Sequence, residues 1–259
     1  MAKKQRLIDI LAESYPDISR KELYASVMCG EFRVDGHTVK DPLQVFPPGS
    51  AIIRRPGEFV SRGGLKLDHA LSAWGIDVTG STFLDAGCST GGFTHCLLLH
   101  GAGTVHAVDV GYNQLDWKLR SDRRVIVHER VNIMDLTSLE PVPDAAVADL
   151  SFRSLRRAVA HIFSLTAGRW CIALIKPQFE LGYTEESFDG VLRDKTRLAA
   201  VVSDLLSDLR TEGVYGERLL RSPIRGSKGN IEFLVLFRDH ETGTPGELRK
   251  NIEQQLLSC

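Results

Sequence analysis

Paired cysteines are missing from this chain. Its five cysteines, Cys29, Cys88, Cys96, Cys171 and Cys259, are scattered, odd in number and never spaced as C-x-x-C. That argues against a disulfide scaffold and against a zinc site, so no metal is expected, and it fits a reducing compartment. No apolar run approaches the ~18 residues that a membrane-spanning helix needs, so stable membrane insertion is not expected. The first residues, Met1 to Arg6, are basic, but no apolar stretch follows them, so a secretory signal is not expected either. A surplus of positive charge is absent too: 32 Lys and Arg stand against 33 Asp and Glu, a net charge of −1. Any nucleic-acid surface therefore has to be a local patch. Internal repeats and low-complexity tracts are also lacking. A cytoplasmic globular protein is the expectation.

What is present is ordinary in bulk and specific in places. The 259 residues, 43% hydrophobic and 25% charged, suffice for one large domain and a small one. The chain is organised around Phe83 to Phe93, FLDAGCSTGGF. A short apolar run ends in Asp85, a glycine-rich turn follows, and then a helical pattern begins. This is the strand, turn and helix that open an α/β nucleotide-type sheet. Glycines let a ligand approach the backbone, and the helix N-terminus offers free N–H groups. The spacing D-x-G-x-x-x-G-G is not the dinucleotide fingerprint. It suits a smaller ligand with an amino-acid tail and a nucleoside, such as S-adenosylmethionine; the alternative is a glycine-rich turn that holds no ligand.

Residues 4 to about 55 read as a separate small unit. Leu7, Ile8, Ile10 and Leu11 mark one amphipathic helix. Ser19, with Glu22 three residues on, forms a capping box for a second, which stops at Gly30. Glu31 to Val39 reads as two strands around an Asp35-Gly36 turn, and Ala51 to Arg55 as a last strand. Pro56-Gly57-Glu58 is a linker signal. This divides the chain into 1–58 and 59–259.

Beyond the linker, a helix is expected from Leu65 to about Gly75, with Arg62 and Lys66 forming an electropositive corner. Strands follow at Ser81 to Asp85, Thr104 to Asp109 and Val125 to Glu129, with helices between them. Asp109 closes its strand beside the glycine turn, where an acid can accept hydrogen bonds from a ribose diol; the alternative is a helix cap. Asn132, after the third strand, is a candidate for reading an adenine edge. Two largely apolar runs, Ala145 to Leu150 and Trp170 to Ile175, read as central parallel strands and deliver Asp149 and Lys176 at the carboxyl edge. The long connection from Gln178 to Arg193, with Phe179, Glu180, Tyr183 and Phe188, is of a length often used for lids. A helix over Lys195 to Arg210, a closing antiparallel hairpin ending at Phe237, and a terminal helix complete the chain.

The segments SRGGLKL, DAGCSTGGF, DVGYNQLDWKLR, ADLSF, KPQFE and GNIEF, in this order, resemble the TlyA family. Those proteins are called hemolysins but are similar to FtsJ-type S-adenosylmethionine-dependent ribosomal RNA 2′-O-methyltransferases. The small N-terminal unit, across SRKELYASVMCGEFRVDGHTVKDP, resembles an S4-like RNA-binding domain; the alternative is a capping or protein-contact module. The resemblance implies an α/β fold, a Rossmann-like methyltransferase sheet preceded by a small α+β domain. It implies S-adenosylmethionine as cofactor and ribosomal RNA or a ribosomal subunit as partner. A Lys-Asp-Lys-Glu tetrad falls by motif on Lys66, Asp149, Lys176 and Glu232. Cofactor contacts are expected at Asp85, Gly87, Ser89, Thr90, Gly91, Gly92, Phe93, Asp109, Asn132 and Asp149. RNA contacts are expected at Arg20, Lys21, Arg33 and Lys40, and at Arg62, Arg225 and Lys228.

These residue types suit the chemistry. Methyl transfer from a sulfonium is an in-line displacement, so catalysis is largely positioning. A ribose hydroxyl is a very weak acid and needs a group that orients it and takes its proton. Lys176 is the candidate, either as a base, with Lys66 the neighbouring cation that lowers its pKa, or as an orienting group only; Asp149 and Glu232 hold the ammonium groups in place. Rival readings are methylation of a base, a membrane-active hemolysin, and an RNA-binding protein with a degenerate catalytic domain.

Overall fold

A computed structural model describes residues 4–28, 30–54, 59–151, 154–181, 188–242 and 245–257. Cys29, the 56–58 linker, Phe152, Tyr183 and Cys259 lie outside the described residues, as does the side chain of Lys21. The chain forms two compact units, Met1–Arg62 and Gly63–Cys259.

In the first unit, a two-residue strand β1 (Gln5–Arg6) leads into α1 (Leu7–Ser14) and α2 (Arg20–Met28). The capping box is present: Ser19 N and Oγ donate to Glu22 Oε2, and Glu22 N donates back to Ser19 Oγ. Strands β2 (Phe32–Val34) and β3 (His37–Val39) pair across Asp35-Gly36, both at positive φ, as a two-residue hairpin turn requires. β4 (Val45–Phe46) pairs with β1, and β5 (Ile52–Arg54) lies on the other side of β2. Leu7, Leu11, Leu23, Val27 and Phe32 fill the core between the helices and this sheet.

The second unit opens on α3 (Arg62–Trp74), three residues earlier than its apolar spacing predicts. Its sheet is built from β6 (Thr82–Ala86), β7 (Thr104–Asp109), β8 (Val125–Glu129), β9 (Ala145–Ala148), β10 (Trp170–Ile175), β11 (Tyr215–Arg221) and β12 (Phe233–Arg238). The connecting helices are α4 (Gly92–Leu99), α5 (Trp117–Arg120), α6 (Ala158–Ser164), α7 (Pro177–Glu180), α8 (Lys195–Thr211) and α9 (Pro245–Leu257). Strand order is β11-β12-β10-β9-β6-β7-β8. β6 to β10 run parallel, and β12 is antiparallel to both β10 and β11. Every residue of β9, and Cys171 to Ile175 of β10, is buried, which explains their apolar runs: these strands are covered on both faces. Among the described residues, no helix is long and apolar enough to cross a membrane.

Candidate active site

The chain leaves β6 toward β7 on one side and returns to β9 on the other. Such a reversal opens a crevice at the carboxyl ends of the two strands, the usual ligand position in an open α/β sheet. Here it is lined by the glycine turn and by Asp149. Gly87 has φ +83°, and a Cβ there would lie 2.8 Å from the Asp149 carbonyl oxygen, so only glycine fits. Gly91, at φ +92°, caps α4 and sits against Leu115 and Leu119. Asp109, at the end of β7, accepts from Ser89 N (2.8 Å) and Gly111 N (2.7 Å), which fixes the turn against the neighbouring strand. Gly92 and Phe93 are buried in the first turn of α4, while Ser89 and Thr90 are exposed.

Two lysine–carboxylate pairs occupy the same edge. Lys66 Nζ on α3 lies 2.7 Å from Glu232 Oε2, and both side chains are almost wholly buried. Lys176 Nζ, at the end of β10, lies 2.6 Å from Asp149 Oδ1, an ion pair off the hydrogen-bonding axis. Its hydrogen bonds go to Leu150 O (3.1 Å) and Ser151 Oγ (3.0 Å). Ile175 pairs with Phe233 across the β10/β12 ladder, so Lys176 and Glu232 flank one end of it. Glu232 stands just before β12 rather than inside it, as the sequence had suggested. Each lysine thus has its own acid.

Comparison with known proteins shows which family carries this fold. Residues 59–239 match the family model described as FtsJ-like methyltransferase. The chain belongs to the FtsJ-like methyltransferase family. "Putative rRNA methyltransferase YqxC" of Bacillus subtilis is 40% identical over 245 residues, covering 90% of this chain and 85% of that protein. The "16S/23S rRNA (cytidine-2′-O)-methyltransferase TlyA" of Mycobacterium tuberculosis is 36% identical over 244 residues, covering 92% and 91%. The solved structure "Putative hemolysin from Streptococcus thermophilus" superposes with a TM-score of 0.74 at 31% identity, covering 100% of this chain and 98% of that one.

In this FtsJ-like methyltransferase Asp85 is wholly buried. Its Oδ2 accepts from Thr94 N and Oγ1, while Oδ1 has no partner. Burial pushes its carboxyl up to about 7; the Thr94 hydrogen bonds oppose the shift and the charge of Asp149 adds to it. An orphaned carboxylate oxygen, a turn without room for a Cβ and an acid at the end of the next strand fit a ligand with an ammonium group and a ribose. Asn132 follows β8, and its Oδ1 accepts from Met134 N and caps a short 3-10 turn. Cys88 lies buried in the turn, and desolvation raises its thiol far above the usual range.

The expected RNA contacts fall in both units. Arg20 is exposed and ion-paired with Asp9, Lys40 is exposed, and Arg33 is half-buried in β2. Arg62 is half-buried at the start of α3. Arg225 and Lys228 are exposed and bond the carbonyls of Gly229 and Asp189. Sequence reasoning gives no site role to Ser151 or Gly226 and names Glu180 only as part of the long connection, although Ser151 and Glu180 lie inside the ADLSF and KPQFE motifs. A Cβ on Gly226 would lie 2.0 Å from Glu232 Oε1. Among the described residues, Asp68, Cys96 and His100 bring possible metal-ligating atoms within 4.8 Å of one another, and His100 Nε2 lies 2.8 Å from Asp68 Oδ1.

Proposed function

We propose that this enzyme transfers a methyl group from S-adenosylmethionine to the 2′-hydroxyl of a ribose in ribosomal RNA, in the cytoplasm. The observation that carries the reading is the pair of lysine–carboxylate contacts, Lys66–Glu232 and Lys176–Asp149, at the carboxyl edge beside the Gly87 turn. Methylation of a base nitrogen has no evident use for two such pairs. The names of the relatives point the same way.

S-adenosylmethionine, when bound, supplies an electrophilic methyl group on a sulfonium. Asp85 and Asp149 would face its amino-acid part and Asp109 its ribose, with Gly87 to Phe93 admitting it to the backbone. The acceptor hydroxyl is held in line for attack, and its proton leaves as the O–C bond forms. The Lys176 ammonium has three protons: two meet the Leu150 carbonyl and the Ser151 hydroxyl, and Asp149 Oδ1 lies beside the group as its counter-ion. To act as a base Lys176 must first lose a proton. Ser151 Oγ is the partner among these that can then reverse and donate to the neutral amine. Lys66, neutralised by Glu232, fixes the α3 side of the site. The first unit, residues 1–58 with the linker, acts as an S4-like RNA-binding domain, with Arg20, Lys21, Arg33 and Lys40 neutralising phosphates.

The test is transfer of tritiated methyl from labelled S-adenosylmethionine to separated ribosomal subunits, wild type beside Lys176→Ala. Label on RNA, lost in the variant, is expected. Cofactor binding with no label on either subunit would overturn the assignment.

A further inference from the structure

The five-residue segment from Lys176 to Glu180 is held at both ends, at one by residues 149–151 and at the other by residues 154–156. At one end Lys176 Nζ meets Asp149, Leu150 O and Ser151 Oγ. At the other end the Glu180 carboxylate accepts from Leu155 N on Oε1 (2.9 Å) and from Ser154 Oγ on Oε2 (2.5 Å). Arg156 Nη1 closes this end by donating to Glu180 Oε2 (3.1 Å) and Glu180 O (3.3 Å), while its Nε reaches Asp208 on α8. Between the two ends runs a single helical turn, α7, begun by Phe179 N bonding Lys176 O.

Glu180 is an expensive residue for a turn as buried as α7. Its side chain is 2% exposed, and burial raises its carboxyl against the hydrogen bonds of Ser154 and Leu155 and the charge of Arg156. A buried carboxylate is tolerated only when its lone pairs are used, and here they accept from Ser154, Leu155 and Arg156. The other end of α7 carries Lys176.

We propose that Glu180 is a positioning residue for methyl transfer: it anchors the end of α7 to Ser154, Leu155 and Arg156, and so sets where Lys176, at the start of the same turn, meets Asp149, Leu150 O and Ser151. This rests on the reading of Lys176 as a residue at the reacting hydroxyl. Glu180 itself touches neither cofactor nor substrate in this scheme.

The experiment compares full-length wild type, Lys176→Ala, Glu180→Ala and Glu180→Gln by steady-state methyl transfer, calorimetric S-adenosylmethionine binding and amide hydrogen exchange. Glu180→Ala is expected to lower kcat about 10- to 100-fold, the scale of a misplacement of about 1 Å. The KM for RNA and the cofactor affinity should stay within about threefold. Glu180→Gln, which keeps an acceptor for Leu155 N, should recover most of the loss. Exchange should rise in peptides spanning 149–156 and not across β6 to β8. Glu180→Ala with unchanged kcat beside an inactive Lys176→Ala would overturn the proposal. So would a loss of cofactor affinity as large as the loss of kcat, which would make Glu180 a general structural anchor. If the wild type labels no RNA, the assigned reaction fails by itself; hydrogen exchange then decides the clasp, and unchanged exchange over 149–156 in Glu180→Ala overturns it.

Discussion

Lys66 and Glu232 stand 166 positions apart in the sequence and 2.7 Å apart in the fold, and water is nearly excluded from both. Removing either partner leaves a buried charge without its counter-ion. Lys66→Ala or Glu232→Ala should each cost about 3–5 kcal/mol in urea unfolding. The double variant Lys66→Met, Glu232→Leu should regain most of that stability while remaining inactive. A double variant that regains activity as well would show that the pair serves only the fold.

Gly226 guards the same carboxylate. A methyl group there would press on Glu232 Oε1 at 2.0 Å and Cδ at 2.5 Å, and Glu232 cannot retreat without releasing Lys66. Gly226→Ala should therefore lower kcat by about tenfold or more, with cofactor affinity nearly unchanged. Methyl-transfer kinetics beside calorimetry separate the two effects.

Gly87→Ala acts at the other side of the crevice. The new Cβ meets backbone, the Asp149 carbonyl at 2.8 Å, at a φ of +83°. Strain of about 1–3 kcal/mol, with the shift of Asp149, should weaken S-adenosylmethionine binding about tenfold or more. Gly213→Ala is the control: its φ is also positive, at +77°, but nothing lies within 4 Å of its Cβ, so cofactor affinity should not change. Equal affinity in the Gly87 variant would contradict the placement of the ligand at this turn.

Asp85 links stability to pH. Its carboxyl is raised to about 7 in the folded state, mainly by burial. The ordinary value in an unfolded chain is about 3.9. Between these values the native state keeps a proton that the unfolded chain has lost, so this group makes stability fall as pH rises across that window. Asp85→Asn removes the dependence. The melting temperature of the variant relative to wild type should climb from about pH 4 to about pH 7 and then level off. A difference that is flat with pH would mean the buried carboxyl is already ionised throughout.

Much of this architecture is legible in the residues, and what escapes them is informative. β7, β8 and β10 fall on their expected spans because apolar runs bounded by turns leave little choice of register. The Ser19–Glu22 box and the Asp35-Gly36 turn are local chemistry and are present as expected. α6 has no such signal: it is seven residues long and opens from Arg157 at φ 63° without a side-chain cap. Nor is the cap that Asn132 Oδ1 gives the 3-10 turn after β8 signalled by the strand pattern. Lys66, Asp149, Lys176 and Glu232 were marked by motif, and the carboxyl-edge position of Asp149 and Lys176 follows from the strand pattern. Which lysine meets which acid depends on the return of β12 beside β10, a long-range pairing that no local spacing encodes. The grip of Glu180 on the Ser154–Arg156 segment is hidden for the same reason.

Nucleoside analysis by mass spectrometry, after complete digestion of ribosomal RNA incubated with enzyme and S-adenosylmethionine, tests the central claim most directly. A 2′-O-methylated nucleoside that forms with wild type and not with Lys176→Ala is the expected product. A nucleoside methylated on its base, or a ribose product formed undiminished by Lys176→Ala, would contradict it.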